Sequence, residues 1–426
     1  MPPQKGGISV SELRITGGNR LGGAVTVHGA KNSVLPLLAA CVLCQGECVL
    51  HRCPALSDVA SSVAILRHLG ATVTVEGDVI TVNAAHVTQS AIPEDLMRKM
   101  RSSIVFLAPL AARTGCADVS LPGGCELGPR PIDLHIAGLR RLGADIADGH
   151  GRLRCTVSPR FTGTDYTLPF PSVGATENLL LAAATADGTT VLTGAAREPE
   201  IFDLIAFLNA AGARITAKPD ALVIEGVPAL HGCEHTVIPD RIEAATYLAA
   251  VAVTGGTALI SPVVPEHLAA VLPLFRECGC HLKAWGDSLL LTAPPRLNHL
   301  KFVRSLPYPG FPTDAAAPLL AAMTIADGVS VFAETIFENR YRYVDELARL
   351  GAAVKTEGRV AVVEGVPCLQ AAAVECTDLR GGAALVVAAL AANGTTHLTQ
   401  CHHLDRGYAA LCETLKALGA QADYVS

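Results

Sequence analysis

Cys125 stands in the stretch VSLPGGCELGPRPIDLH, residues 119–135, between a Gly-Gly pair and a Gly-Pro-Arg-Pro run. A thiol acts as nucleophile or proton donor where it is accessible and where nearby positive charge favours its thiolate, and this segment places Arg130 five residues on. A second set of polar residues recurs at one phase of the chain. Lys31 in GAKNS, Arg101 in KMRSS, Val173 in PSVGATEN, Arg241 in PDRIEAA, Asp314 in FPTDAAA and Arg380 in TDLRGGAA each stand fourteen or fifteen residues before a glycine. Together with Arg130 and Arg406 of HLDRGY, the cations of this set suit phosphate and carboxylate groups. In PSVGATEN, Ser172, Gly174 and Thr176 offer a turn with free N–H groups that suits a diphosphate. The Gly-Lys-Ser/Thr ending of a Walker loop is absent, which argues against nucleotide hydrolysis. Taken singly, Asp240, Thr313 and Asp314 also read as helix caps, and each arginine as a solvated side chain. Their common phase favours a shared site.

The elements that position these residues form a repeat. Gly46, Gly115, Gly188, Gly256, Gly328 and Gly394 each follow an almost wholly apolar helical stretch; Gly70, Gly143, Gly212, Gly279, Gly351 and Gly419 each follow an amphipathic one. Each unit therefore reads as apolar helix, glycine C-cap, short strand, amphipathic helix, second glycine C-cap, and a strand or hairpin. The apolar helix is expected inside and the amphipathic one against solvent. Six such units, each too small for a good core, group as two sets of three, a two-domain α/β architecture. If the buried helices run parallel within each domain, their N-terminal N–H groups converge on a cleft that favours anions. The spacing between the two glycines is 24, 24, 23, 23 and 25 residues in units one, three, four, five and six, but 28 in unit two. The surplus falls on the Cys125 segment, which favours a functional loop added to a regular scaffold, with Cys125 itself read from sequence either as a reactive thiol or as an ordinary loop cysteine.

Composition narrows the function classes. The 426 residues are 50% hydrophobic and 17% charged, with a formal charge of −6 and one Trp, which argues against a broad nucleic-acid surface. No apolar run reaches membrane-spanning length and the first residues lack a signal-peptide pattern, so a cytoplasmic protein with no membrane association is expected. Of fourteen cysteines, Cys41, Cys44, Cys48 and Cys53 have ligand-like spacing, but the first three sit at an apolar helix end and no second Cys/His pair accompanies them. Reduced core cysteines and no metal or cofactor are the expectation.

The stretches GAKNS, MRSSIVFLAPLAAR, LPGGCELGPRPIDLH, PSVGATEN, AAREPEI, PDRIEAATYL, GFPTD, TIFENRY, TDLRGGAALVVAAL and HLDRGY, in this order from about Ile8 to the C-terminus, resemble those of the UDP-N-acetylglucosamine enolpyruvyl transferase (1-carboxyvinyltransferase) family. The resemblance implies an inside-out α/β barrel of six βαβ-type repeats, three per domain, with inward-facing parallel helices. It implies one domain over 30–239 carrying the Cys125 loop, a second over 1–29 plus 240–426, and an active site in the interdomain cleft. The implied reaction transfers the enolpyruvyl group of phosphoenolpyruvate to the 3′-hydroxyl of UDP-N-acetylglucosamine with release of phosphate, the first committed step of peptidoglycan synthesis.

Position by position, the resemblance makes Cys125 the loop acid and adduct-forming thiol that fosfomycin alkylates, and Asp314 the base or orienting acceptor at the attacking hydroxyl. Lys31, Arg130 and Arg406 become the grip on phosphoenolpyruvate, Arg101 and Arg380 their neighbours, and Asn32 a contact near the reacting centre. Arg130, Pro131, Ile132, Asp133, Leu134 and His135 match the strip holding the uracil, Ser172, Val173 and Gly174 the diphosphate turn, and Ile336 a uridine or sugar contact. Glu198 and Glu200 read as first-turn residues of an outer helix. Phe170 stands where many relatives have Lys and Ala316 where Gln is frequent, which points to altered nucleotide affinity in an active enzyme. Two alternatives remain: transfer to shikimate 3-phosphate on the same fold, and a regulatory paralogue that binds UDP-sugar without catalysis.

Overall fold

The computed structural model describes residues 12–121 and 132–425. They fall into two compact units, His28–Asp240 with Pro307–Pro309, and Met1–Val27 with Arg241–Leu306 and Gly310–Ser426. Each unit holds three four-stranded sheets, and all six share one pattern. In the sheet of Asp165–Thr167, Thr189–Thr193, Ala221–Glu225 and Arg214–Ala217, the first pair is parallel and the next two are antiparallel. The chain's first strands complete the second unit. Gly22–Thr26 pairs parallel with Thr257–Ser261, and Glu12–Thr16 lies between Thr395–Thr399 and Gln421–Val425, antiparallel to both.

Five of the six phase-marked positions open a buried α-helix: Lys31–Ala40, Val173–Ala183, Arg241–Val253, Thr313–Met323 and Leu379–Ala391. Every residue of Arg241–Val253 is buried, the consequence of an Ala- and Val-rich helix with no polar stripe to present to water. It packs against Thr313–Met323 and Leu379–Ala391, where alanine lets the backbones approach. The sixth position departs from the expectation. Arg101 opens a 3-10 segment, Arg101–Phe106, and the α-helix proper is Leu107–Thr114. Pro109 has no N–H to give to the carbonyl of Val105, so a regular helix cannot extend back through it without losing that bond.

The six outer helices end as the glycines predict. Gly70, Gly143, Gly212, Gly279, Gly351 and Gly419 all take φ between 87° and 102°. In each case the next residue's N–H returns to a carbonyl five positions back, as from Ala71 to Leu66 and from Ala420 to Leu415, which closes a Schellman motif. The other glycine set is more varied. Gly115 is a C-cap, but Gly46, Gly188, Gly328 and Gly394 lie in the turn leading to the strand, and at the fourth position Gly255, not Gly256, takes the positive φ. Gly256 is needed for closeness instead, since a Cβ there would lie 2.1 Å from the carbonyl oxygen of Leu21. The thirteen described cysteines are free thiols, ten of them buried.

Candidate active site

In the unit His28–Asp240, Lys31 begins its helix and is almost wholly buried. Its Nζ lies 2.8 Å from Asp58 Oδ2, and its backbone N–H donates to Asp240 Oδ2 at 3.1 Å. A buried ammonium held by a carboxylate stays charged and keeps a fixed direction. Asn32 beside it is half-buried, and Ser33 donates its hydroxyl to Asp203, which also takes His235 Nε2 at 2.8 Å. Asp240 thus acts on the Lys31 helix start from the far end of the unit's chain, as the cap reading expected in kind though not in partner.

Two of the proposed nucleotide segments, those of His135 and of Gly174, meet within this unit. His135 is buried in the outer helix Asp133–Arg141, and its ring lies against Gly174, where a Cβ would sit 3.1 Å from Cε1. Asn178, fully buried, gives its amide to Ile104 O and to His135 Nδ1, and takes the N–H of Ala108 on Oδ1. Since the amide nitrogen can only donate, His135 Nδ1 accepts and the proton resides on Nε2. Burial, followed by the nearby Arg101 charge and against Asp133, pulls the imidazole down to about 4. It is therefore a neutral N–H donor near pH 7. Ser172 caps the adjacent helix by accepting from Ala175 N–H, while Val173 and Gly174 open its first turn, half-buried. Ile132 and Leu134 are half-buried and Asp133 is exposed; Phe170 is exposed as well. Cys125, Arg130 and Pro131 lie outside the described residues.

In the other unit Asp314 is clamped. Its Oδ1 accepts from Arg340 at 2.8 Å and its Oδ2 from Arg380 at 3.1 Å. Both guanidiniums are buried, and each is anchored again: Arg340 to Thr313 O, Arg380 to the hydroxyl of Tyr408, which also meets Thr246 Oγ1. Glu334 ties the neighbouring turn to this helix, taking the Thr313 hydroxyl on one oxygen and the N–H groups of Ile336 and Phe337 on the other. Ile336 is half-buried in that turn. The clamp fixes the carboxylate plane with charge-assisted bonds. Ala316 is buried on the same helix. Arg406 ends the 3-10 segment Cys401–Arg406 and is half-buried.

Arg340, Glu334, Asn178 and Asp58 were not singled out in the sequence. Arg340 lies in TIFENRY, and an Arg among aromatic and apolar residues was the available signal. Glu177 is a further surprise: it is buried in the first turns of Val173–Ala183, and burial, then the Glu200 and Glu198 charges, push its carboxyl up to about 8. Glu200 is buried, as the structural reading required, and Glu198 also takes the backbone N–H of Tyr308. Among the described residues no helix is long and apolar enough to cross a membrane.

Comparison with known proteins places this arrangement in a family. The EPSP synthase (3-phosphoshikimate 1-carboxyvinyltransferase) family model matches residues 15–415. A curated relative from Caldanaerobacter subterraneus subsp. tengcongensis, UDP-N-acetylglucosamine 1-carboxyvinyltransferase 2, is 49% identical over 412 residues, covering 96% of this chain and 99% of its own. UDP-N-acetylglucosamine 1-carboxyvinyltransferase 1 from Symbiobacterium thermophilum is 50% identical, covering 95% and 93%. Among solved structures, the enolpyruvyl transferase NikO from Streptomyces tendae superposes with a TM-score of 0.89 at 28% identity over 98% of this chain and 99% of that one. EPSP synthase from Acinetobacter baumannii, at 18% identity and a TM-score of 0.74 over 98% and 100%, shares the fold. The chain belongs to the EPSP synthase family of carboxyvinyl transferases, within its UDP-N-acetylglucosamine 1-carboxyvinyltransferase branch. Its fold is the two-domain inside-out α/β architecture of these enzymes.

Proposed function

We propose that this enzyme transfers the enolpyruvyl group of phosphoenolpyruvate to the 3′-hydroxyl of UDP-N-acetylglucosamine, releasing phosphate, as the first committed step of peptidoglycan synthesis. The observation that carries the reading is identity near one half, over almost the whole chain, to relatives of that name. The reaction is an addition followed by an elimination. A proton adds to the phosphoenolpyruvate methylene, the sugar oxygen bonds to the neighbouring carbon, and the tetrahedral ketal expels phosphate as the methylene proton is returned.

Such a path develops positive charge on a carbon flanked by two anions, so it calls for fixed cations and an acid and base already in place. Lys31, held by Asp58, is assigned with Arg101, Arg130, Arg380 and Arg406 to the phosphate and carboxylate. Asp314 is assigned to the attacking hydroxyl, oriented by Arg340 and Arg380. Asn32 is assigned to the reacting centre and Cys125 to protonation of the methylene and to alkylation by fosfomycin. The nucleotide falls to the strip Arg130 to His135, to Ser172, Val173 and Gly174, and to Ile336; the neutral His135 N–H beside Gly174 supports that reading. Without a Lys at Phe170, the first-turn amides carry more of the diphosphate.

The test is phosphate release from phosphoenolpyruvate with UDP-N-acetylglucosamine and, separately, with shikimate 3-phosphate, before and after fosfomycin. Release with the UDP-sugar alone, abolished together with a mass gain on the Cys125 peptide, is the expected result. Release with shikimate 3-phosphate alone, or UDP-sugar binding without release, would overturn it.

A further inference from the structure

Four thiols meet in the unit His28–Asp240, away from every residue assigned above. Cys41 opens the 3-10 turn after the Lys31–Ala40 helix and gives its S–H to Leu37 O; Cys44 follows and points its own toward Ala40 O at 3.8 Å. Cys48 lies on Glu47–His51, which pairs in parallel with Glu234–Thr236 in the register Glu234 to Val49. Cys233 and Cys48 each precede that first rung by one residue, and the Val49 N–H donates to Cys233 O at 2.9 Å, which keeps the two strands adjacent at this point. The Cys48 thiol interacts electrostatically with those of Cys233, Cys41 and Cys44. Cys41, Cys44 and Cys48 are fully buried, whereas Cys233 is half-exposed and forms the solvent side of the group.

The arrangement is a star centred on Cys48 and not a closed cage. Consistent with that, no group of three or more Cys, His, Asp or Glu among the described residues is disposed to hold a metal ion. Pairwise sulfur chemistry remains. Directly opposed residues on neighbouring strands are about 5 Å apart at Cα, inside the range a disulfide spans.

We propose that Cys48 and Cys233 are a peroxide-responsive pair that closes to a disulfide between Glu47–His51 and Glu234–Thr236. The Cys48 thiolate attacks one oxygen of hydrogen peroxide, forming the sulfenic acid and releasing hydroxide, which takes up the proton that Cys48 lost. The Cys233 thiol then condenses with the sulfenic acid to give the S–S bond and water. In sum, two thiols and one peroxide become one disulfide and two waters, the two electrons passing from the sulfurs to the O–O bond. Interaction with the thiols of Cys233, Cys41 and Cys44 lowers the Cys48 thiol against the opposing effect of burial, so the first step is placed at Cys48. Cys233, at the solvent side, is the partner a peroxide passes on its way in.

The experiment treats the reduced full-length protein with hydrogen peroxide below its melting temperature, removes the oxidant, alkylates free thiols and maps tryptic peptides without reduction. Cys48 lies in peptide 32–52 and Cys233 in peptide 215–241. The expected product is those two peptides linked through Cys48 and Cys233, with Cys41 and Cys44 alkylated, in most of the chains and reversed by dithiothreitol. Cys233→Ser is expected to lower the linked fraction at least tenfold. Recovery of Cys48 and Cys233 as free thiols at doses that oxidise the exposed Cys368 would overturn the proposal. So would a link confined to peptide 32–52, and both readings come from the unmodified sequence even if Cys233→Ser fails to fold.

Discussion

At the scale of single residues, the Asp314 clamp is the part of the site with the sharpest consequence. Arg340 holds one carboxylate oxygen while Arg380 holds the other, so losing Arg340 removes one of the two charge-assisted bonds that fix the carboxylate plane. A misplacement of about 1 Å at a reacting group costs on the order of 100-fold in rate. Arg340→Gln is therefore expected to lower kcat about 100-fold while KM for UDP-N-acetylglucosamine moves by less than about threefold; an equal rise in KM would assign Arg340 to nucleotide binding instead. Glu177 gives a pH prediction. Its carboxyl is up at about 8 in the fold against 4.5 in the open chain, so its contribution to stability is full below pH 4.5 and is lost as pH rises to 8. The integrated loss is up to about 5 kcal/mol. Glu177→Gln is expected to melt close to the parent at pH 5 and well above it at pH 8; equal melting temperatures at pH 8 would mean that the neighbouring Glu198 and Glu200 adjust to keep Glu177 ionised without cost.

At the scale of elements, two kinds of glycine do different work. Gly351 ends the helix Val344–Arg349 at φ 87° with open space around a would-be Cβ, so Gly351→Ala carries only backbone strain, about 1 kcal/mol. Gly365 lies where a Cβ would come 1.8 Å from Ala326 O, an approach that only backbone movement relieves. Gly365→Ala is expected to cost about 3 kcal/mol, read as the larger fall in urea midpoint of the pair. If the two fall equally, the close approach relaxes without cost. The caps were legible because a positive φ after an amphipathic helix selects glycine locally. Gly365 was not, because its reason is a carbonyl from a distant segment. The Arg101 position shows the same division: its phase was readable, yet Pro109 changed the helix it opens.

At the scale of the whole molecule, the chain closes the last sheet with its own beginning. Leu13 and Ile15 are fully buried on a strand bonded on both sides. Removing residues 1–20 deletes the strand between Thr395–Thr399 and Gln421–Val425 and exposes two edges and a core face. Limited proteolysis of that truncated protein is expected to degrade 241–426 rapidly while a fragment covering 28–240 persists. Equal resistance of both regions would show that the N-terminal strand is dispensable.

The sequence by itself determined the six-fold repeat, the buried and exposed helices, the glycine stops and the common phase of Lys31, Asp314 and Arg380, because each of these follows from local periodicity and backbone sterics. It also determined the family: ten motifs in one order carry the resemblance, and relatives of that name match nearly the whole chain. Only the tertiary structure decided which partners those residues have. Asp58 on Lys31, Arg340 on Asp314, Asn178 fixing the His135 tautomer, and Cys233 beside Cys48 are all contacts between segments far apart in the chain. Charge pairing and hydrogen bonding depend on distance in space, and distance in space is set by how the sheets and inner helices pack, not by any local pattern of residues.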